Sequence, residues 1–400
     1  MSRRHRSSTS ARSAAAALLL LCAVPSAHAL LRLNDGRDQV YVTAFVGAGY
    51  DSNVFTSGTG DNADVVITGG AGLEYSRKAG LIGVNANLGW NFGRFSTFTD
   101  EDFLNPSASL ELSKGTGRTT GAMQFNTKRD VRADPTIGLR TESWNHNVNL
   151  NYRYPVIERY SFAGNIGWSI LDYVDNDGPA GFADLTTYTI GTDLFYNWRS
   201  DRDLMVGHRY RTSETSATST SNDHSVYVGV NGRIYSKLSG GARVGWTYRV
   251  SEFPAPIPED TNDGLYASVS ATWPASQKIS YTLVLSQDFS TTSTNFQTQT
   301  TSLDLSGQFT HTVKFSTSAN LGVGHTRYIS GYSGATNTFT EGFNNQDRSD
   351  TNYSFGLGAN YTVNKHLSVS LNYGYTQNTS NLSSFVFERH SAGVTVSTRW

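Results

Sequence analysis

Residues 82–93 read Ile-Gly-Val-Asn-Ala-Asn-Leu-Gly-Trp-Asn-Phe-Gly. Every even-numbered residue of this stretch is apolar, and every odd-numbered residue is glycine or asparagine. Because successive side chains of a β-strand point to opposite faces, one face here is apolar and the other is small or polar. Strands of soluble sandwiches usually have about five or six residues, whereas a tilted strand needs about 9–11 to cross a bilayer. The stretch therefore predicts a transmembrane β-strand.

The same alternation recurs along the chain, and short breaks take turns with long polar ones (129–142, 172–184, 251–263 and 328–350). This pattern is typical of outer-membrane barrels. It predicts an all-β fold, a single antiparallel up-and-down barrel of about 18 strands with both termini periplasmic; 16 strands is the alternative, because the segments near Arg118 and Leu204 are weak. The predicted strands begin near Val40, Asp64, Leu81, Phe103, Arg118, Ser143, Arg159, Leu185, Leu204, His224, Ser239, Gly264, Lys278, Gln297, Phe315, Thr351, Leu367 and Phe387.

The composition supports this class of protein. Of the 400 residues only 16% are charged and 38% hydrophobic, both low for a soluble globular chain. Runs of about 20 apolar residues, which a helical membrane protein needs, are absent from the sequence. An aromatic content of 12% argues against disorder.

The N-terminal segment reads as an export signal. Arginines precede an apolar run at 14–24, and Ala27-His28-Ala29 resembles a cleavage site. We expect residues 1–29 to be a signal peptide, 30–39 a short periplasmic tail and 40–400 the barrel, in the outer membrane of a Gram-negative bacterium. Cys22, the one cysteine, would leave with the signal, so disulfides would not stabilise the mature chain.

Aromatic residues at the apolar positions of the alternation, which would face lipid, suggest two girdles at the membrane interfaces. Trp198 and Trp273 fall beside short breaks, whereas Trp90, Trp144, Trp168 and Trp246 fall toward long ones. The alternation from His390 ends at Trp400, which resembles the C-terminal signal read by the barrel assembly machinery.

Alternation also places five arginines on the inward face. The opposite assignment is unfavourable, because an arginine side chain facing lipid near the midplane would destabilise the barrel by about 2–4 kcal/mol. They are Arg209, Arg211, Arg233, Arg243 and Arg249; the inward acids are Glu74, Glu111, Asp193 and Asp304. One hypothesis is a positive lumen wall that favours anions or an acidic sugar polymer. The alternative is that Arg209 or Arg211 pairs with Asp193 and braces the wall.

Catalysis is not expected. His146, His208, His224, His325 and His390 fall on the outward parity, whereas His311 and His366 fall in short breaks. A nucleophile or an activated water would need a histidine base within reach, which this arrangement does not supply. The sequence indicates no enzyme, no cofactor and no metal site.

Three segments resemble the putative β-barrel porin 2 family, which includes EpsL-like barrels encoded beside exopolysaccharide genes. They are Tyr50-Asp51-Ser52-Asn53-Val54-Phe55, the run from Lys237 to Arg249, and Phe387-Glu388-Arg389-His390. The resemblance extends over nearly all of the chain after residue 29. It implies an outer-membrane barrel linked to polysaccharide export, with no catalytic residues.

Two functions follow as hypotheses. The first is a porin-type channel that takes part in exopolysaccharide export or in the diffusion of anionic solutes or sugars, because the inward face is too small to fill a lumen about 35 Å across. The second is a closed structural or adhesin-type barrel that docks periplasmic export proteins. Expected partners are outer-membrane lipids, lipopolysaccharide, the barrel assembly machinery and periplasmic exopolysaccharide export proteins; nucleic acid is not expected.

Overall fold

The computed structural model describes residues 31–34, 37–58, 60, 62–77, 80–135, 139–174, 182–292, 294–333, 338–341 and 347–400. The predicted signal peptide lies outside these residues. Two short 3-10 helices occur at Thr99–Glu101 and Ser383–Phe385. None of the helices in the described ranges is long and apolar enough to cross a membrane.

In the described part of the chain, twenty strands form one antiparallel sheet, and eighteen of them make the barrel wall. Of the two others, β1 (Leu31–Leu33) pairs with β2, and β17 (Thr338–Glu341) pairs with β16. The wall strands are β2 (Asp38–Asp51), β3 (Asp64–Arg77), β4 (Gly83–Phe95), β5 (Phe103–Lys114), β6 (Thr120–Asp134), β7 (Leu139–Ile157), β8 (Tyr160–Tyr173), β9 (Leu185–Arg199), β10 (Arg202–Thr215), β11 (Thr220–Arg233), β12 (Ser239–Glu252), β13 (Asp260–Ser276), β14 (Ile279–Thr291), β15 (Phe296–Thr310), β16 (Phe315–Ser333), β18 (Ser349–Thr362), β19 (Leu367–Ser380) and β20 (Phe387–Arg399).

The barrel closes between its first and last wall strands. β2 pairs with β20 from Thr43–Arg399 to Asp51–Ser391. Each of the other wall strands pairs with the next one in sequence, so this is an up-and-down barrel. The start of β2 and the end of β20 lie at the end of the barrel that carries the short turns. The 18-strand prediction is confirmed, and every predicted strand start lies within four residues of the observed one.

The alternation in sequence becomes an apolar outer face and a small inner face. Large side chains of β4 such as Leu88 and Trp90 are 47% and 48% exposed, as expected for a surface that contacts lipid. On β9 the outward Tyr188 and Trp198 are ten residues apart, which spans roughly 25 Å of bilayer for a strand tilted about 40°. On the inner face, β4, β16, β18 and β19 carry mostly Gly, Ser and Asn, whereas β2, β3 and β20 mix Gly and Ser with larger residues such as Phe45, Glu74 and Arg389.

Some predicted loops are wrong in detail. Residues 129–142 were expected to form a long break, but β6 and β7 continue through most of it, joined by an ion pair between Arg129 and Glu142. β16 likewise runs to Ser333, into the predicted loop 328–350. Both extensions lie beyond the outward aromatics, where polar residues can cover both faces of a strand and the alternation disappears.

The β14–β15 hairpin leaves the wall at the long-loop end. Pairing of β13 with β14 stops at Ala267–Gln287. Beyond that point Phe289 and Gln297 are buried, although alternation would place them on the outer face. Gly264 on the inner face of β13 provides the space, since a Cβ there would lie 3.2 Å from the Phe289 ring. The end of this hairpin therefore packs against the inner face of β10–β13.

Candidate functional site: a polar cluster inside the barrel

Three inward arginines meet in one buried cluster at the long-loop end. Arg211 on β10 donates from Nε to Asp223 Oδ2 at 2.7 Å. Arg249 on β12 donates from Nε and Nη2 to the two carboxylate oxygens of Asp223, at 2.6 and 2.9 Å. Neither Arg249 nor Asp223 has exposed surface. Charges removed from water need paired and hydrogen-bonded partners, and here each supplies them to the other.

The same arginines hold the inward hairpin. Arg209 forms a bidentate salt bridge with Asp288 on β14, with both Nη–Oδ distances at 2.8 Å. Arg211 Nη1 reaches Asp288 at 3.2 Å, and Arg249 Nη1 donates to Gln297 Oε1 at 2.5 Å. The hairpin is thus attached to strands that lie two to four positions away in the wall.

This arrangement changes the predicted role of Asp193. Neither Arg209 nor Arg211 pairs with it. Asp193 instead accepts from Tyr227 Oη at 2.7 Å and from Arg243 Nη2 at 3.3 Å. The bracing contacts exist, but their partners are Asp223 and Asp288, which sequence analysis did not single out.

Arg233 does not join the cluster. It lies at the short-turn end, where its Nε is 3.3 Å from Asp201 Oδ2, and its side chain is 56% exposed. The inward group gains a different arginine, Arg153 of β7, which donates to Asp203 Oδ2 at 2.7 Å. The clustered arginines and carboxylates nearly balance, at five against four: Arg153, Arg209, Arg211, Arg243 and Arg249 against Asp193, Asp203, Asp223 and Asp288.

A cavity of about 480 Å³ lies beside the cluster, on the inner face of β6–β13. Tyr227 and Tyr266 form its aromatic wall, with ring centroids 5.3 Å apart. Arg209 stacks over Tyr266 at 4.7 Å, and Arg243 lies over Tyr227 at 5.7 Å. The side chains of Arg153 and Arg243 are 39% and 37% exposed, so they present guanidinium groups to this space.

Two of the sequence segments that suggested the family meet at the closing seam. Arg389 donates to both oxygens of Asp51, with Nε–Oδ1 at 3.0 Å and Nη2–Oδ2 at 2.5 Å. Asn53 Nδ2 donates to the backbone carbonyl of Glu388 at 3.0 Å. His390 N donates to Ser52 Oγ at 2.7 Å. These residues are about 335 positions apart in sequence, so the segments serve barrel closure at the long-loop end.

Trp400 lies at the other end of the same seam. Its backbone exchanges hydrogen bonds with Val42, at 2.9 and 3.0 Å, and its ring stacks on His366 at 4.4 Å. The structure gives Trp400 a place in closure, and its role as an assembly signal stays a prediction.

The tryptophans assigned to girdles lie on the outer face. Trp90, Trp168, Trp198, Trp246 and Trp273 are 37–54% exposed. Trp144 stacks with His146 at 5.9 Å, and Trp246 Nε1 donates to Asp263 Oδ2 at 2.9 Å. His208, which lies mid-strand on the outer face, stacks on the outward His224 at 5.6 Å.

Within the described residues, no group of three or more His, Cys, Asp or Glu side chains is placed to hold a metal ion.

The closed antiparallel wall, its apolar outer face and its small polar inner face define an outer-membrane porin-like β-barrel. The model of the family described as "Putative beta-barrel porin 2" matches residues 203–400, which confirms the family resemblance over this part of the chain, with the segments from Lys237 and from Phe387 inside it and Tyr50–Phe55 outside it. The matched part contains nearly all of β10 and the whole of β11–β20, and with them Arg209, Arg211 and Arg249 and their partners Asp223 and Asp288, whereas Arg153 and Asp193 lie before it.

Solved structures of outer-membrane proteins are similar to this chain at low identity. The FrpB iron transporter of Neisseria meningitidis is 12% identical with a TM-score of 0.47; the similarity covers 84% of this chain and 62% of FrpB. This chain therefore spans less than two thirds of that protein. OccK2 (OpdF) of Pseudomonas aeruginosa is 11% identical with a TM-score of 0.47, covering 92% and 99% of the two chains. OpdK of the same organism, solved with vanillate, is 11% identical with a TM-score of 0.45, covering 90% and 99%. No curated protein matches the sequence.

Proposed function

We propose that this protein is a channel for hydrophilic solutes, with carbohydrates as the substrate class: an exopolysaccharide on its way out or small anionic sugars that diffuse. The observation that carries the proposal is the inner face of β2–β4 and β16–β20. Its glycines include Gly49, Gly89, Gly324, Gly358 and Gly393. An 18-strand wall encloses a space about 35 Å across, which such residues leave open to water.

The cavity beside the cluster would supply selectivity. Sugar rings pack on aromatic faces, and guanidinium groups bind carboxylates in a two-pronged geometry. Arg153 and Arg243 would serve this purpose, because their side chains are 39% and 37% exposed to the cavity, whereas those of Arg211 and Arg249 are 16% and 1% exposed. Around the cavity five arginines face four acids, whereas Glu111 and Asp304 lie elsewhere on the inner face, so we expect a weak local preference for anions at the cavity rather than a strongly positive wall.

Planar-bilayer recording of the refolded protein tests the channel. We expect stable conductance, and a reversal potential that shifts toward cations in Arg153→Gln/Arg243→Gln. The matched control is Arg132→Gln, an exposed cation near the long-loop end, which should leave the potential unchanged. Protein that inserts and never conducts would contradict the channel. Conduction with an unchanged potential would contradict only the selectivity.

The second candidate is a closed structural or adhesin-type barrel. Contacts between loops at the mouth favour it: Ser219 Oγ donates to Asn295 Oδ1 at 2.6 Å, and Phe55 meets Phe98 edge-on at 5.0 Å. In this function periplasmic export proteins would dock at the short-turn end, with both termini in the periplasm. Absence of conductance together with specific capture of such a partner would select this candidate.

A further inference from the structure

The two ends of the barrel carry opposite charge. The difference lies in the described connections between wall strands and in the terminal residue of each wall strand. Within these segments the long-loop end has one cation, Arg348, and twelve acids. The short-turn end has three acids, Asp38, Glu158 and Asp201, and twelve cations: Arg77, Lys114, Arg118, Arg159, Arg199, Arg202, Arg233, Lys237, Lys278, Lys314, Lys365 and Arg399. We call these twelve the basic rim.

Several rim cations face the membrane and not the lumen. Arg77, Lys114 and Arg202 lie on the outward parity of β3, β5 and β10. Arg118 stacks over the outward Tyr154 at 4.6 Å, and Arg199 over Trp198 at 5.0 Å. Tyrosine and tryptophan rings at this position mark the depth of the lipid headgroups.

Other rim cations run along the edge of the barrel. Lys237 Nζ donates to the carbonyl of Ala275 at 3.4 Å, and Lys314 Nζ to that of Val363 at 3.3 Å. The first bond joins a short turn to the end of β13, and the second joins one short turn to the next. Since an ammonium group has three donors, each lysine keeps donors for a second partner.

We propose that the cations on the membrane side of the basic rim, namely Arg77, Lys114, Arg118, Arg199 and Arg202, bind the phosphate groups of anionic phospholipids in the adjacent leaflet. The outward parity and the stacking on girdle aromatics favour a lipid over a soluble polyanion, which would approach from the lumen or from below. The acidic long-loop end would repel the same headgroups, so the rim also gives the barrel a preferred direction in an asymmetric membrane.

Native mass spectrometry of the refolded chain in a neutral detergent tests this proposal. The probes are phosphatidylglycerol and phosphatidylcholine with the same acyl chains. We expect tighter retention of phosphatidylglycerol, weakened by salt, because exposed charges are screened. Arg118→Gln/Arg199→Gln should lower its affinity by roughly fivefold for each cation removed, with phosphatidylcholine unaffected.

The matched control is Arg94→Gln/Arg132→Gln, two exposed cations near the opposite end. Thermal unfolding establishes that both double variants are folded. Equal retention of the two lipids, or an equal loss in the control, would overturn the proposal. Tight binding of soluble polygalacturonate without retention of phosphatidylglycerol would also overturn it, in favour of a soluble polyanion.

Discussion

The replacement Asp223→Asn tests whether the buried cluster holds the inward hairpin. Asp223 pairs with Arg211 and Arg249, whose side chains are 16% and 1% exposed. Removing one partner of a buried pair typically costs about 3–5 kcal/mol. Because Arg249 keeps its bonds to Gln297 and to the Ser290 carbonyl, we expect a loss near the lower end, about 3 kcal/mol in the free energy of unfolding.

The assay is urea unfolding in phospholipid vesicles, followed by tryptophan fluorescence. Asp304→Asn is the matched control, since Asp304 is an exposed carboxylate on the inner face of β15. This control variant should lower the free energy of unfolding by less than about 1 kcal/mol, which is the contribution of an exposed ion pair. If Asp223→Asn also loses less than that, the cluster does not stabilise the barrel and the reasoning about its burial is wrong. A freed hairpin should in addition make the single-channel current noisier.

Three further changes probe the seam, the hairpin and the C-terminus. Arg389→Gln removes the bidentate pair with Asp51 and should lower the free energy of unfolding in urea by about 1–3 kcal/mol. Arg399, at the other end of β20, has a side chain that is 55% exposed, so Arg399→Gln should lower it by less than about 1 kcal/mol. Equal losses would contradict this ranking. A Cβ at residue 264 would lie 2.5 Å from Gln299 Nε2, which can swing aside, and 3.2 Å from the ring of Phe289, which packs the hairpin against β13. The added methyl groups of Gly264→Val should therefore push the hairpin away from β13 and change the conductance; an unaltered current would show that the hairpin does not line the pathway. Trp400→Ala removes the stacking at the closing seam and should lower the folded fraction on unheated gels, and a normal yield would remove its proposed role in assembly.

Alternation predicted the wall well, because it reports which face of a strand each side chain occupies. It placed Arg209 and Arg249 inside and Trp198 and Trp273 outside. Alternation does not report which distant strand supplies a partner. Asp288 bonds an arginine four strands away, and a rule based on neighbouring strands pointed to Asp193 instead.

The inward hairpin was also beyond reach from the sequence. Phe289 and Gln297 keep the outward parity of their strands, and their burial results from the hairpin turning into the barrel. One signal was available: β14 and β15 continue through polar residues while Gly264 on β13 lacks a side chain. Glycine facing a lumen is common in this chain, so that signal alone could not distinguish a docking surface from open space.

The joining of β2 to β20 has a consequence for how the chain can be divided. The family match begins at residue 203, inside β10. A fragment cut there would lose the strands that pair with the outer edges of β10 and β20. Both edges would then expose unpaired backbone groups, which recruit other chains and aggregate. The matched portion is thus a unit of sequence similarity but not a unit of folding. Two co-expressed halves of the chain could form the barrel only if β9 paired with β10 and β2 with β20 at the same time.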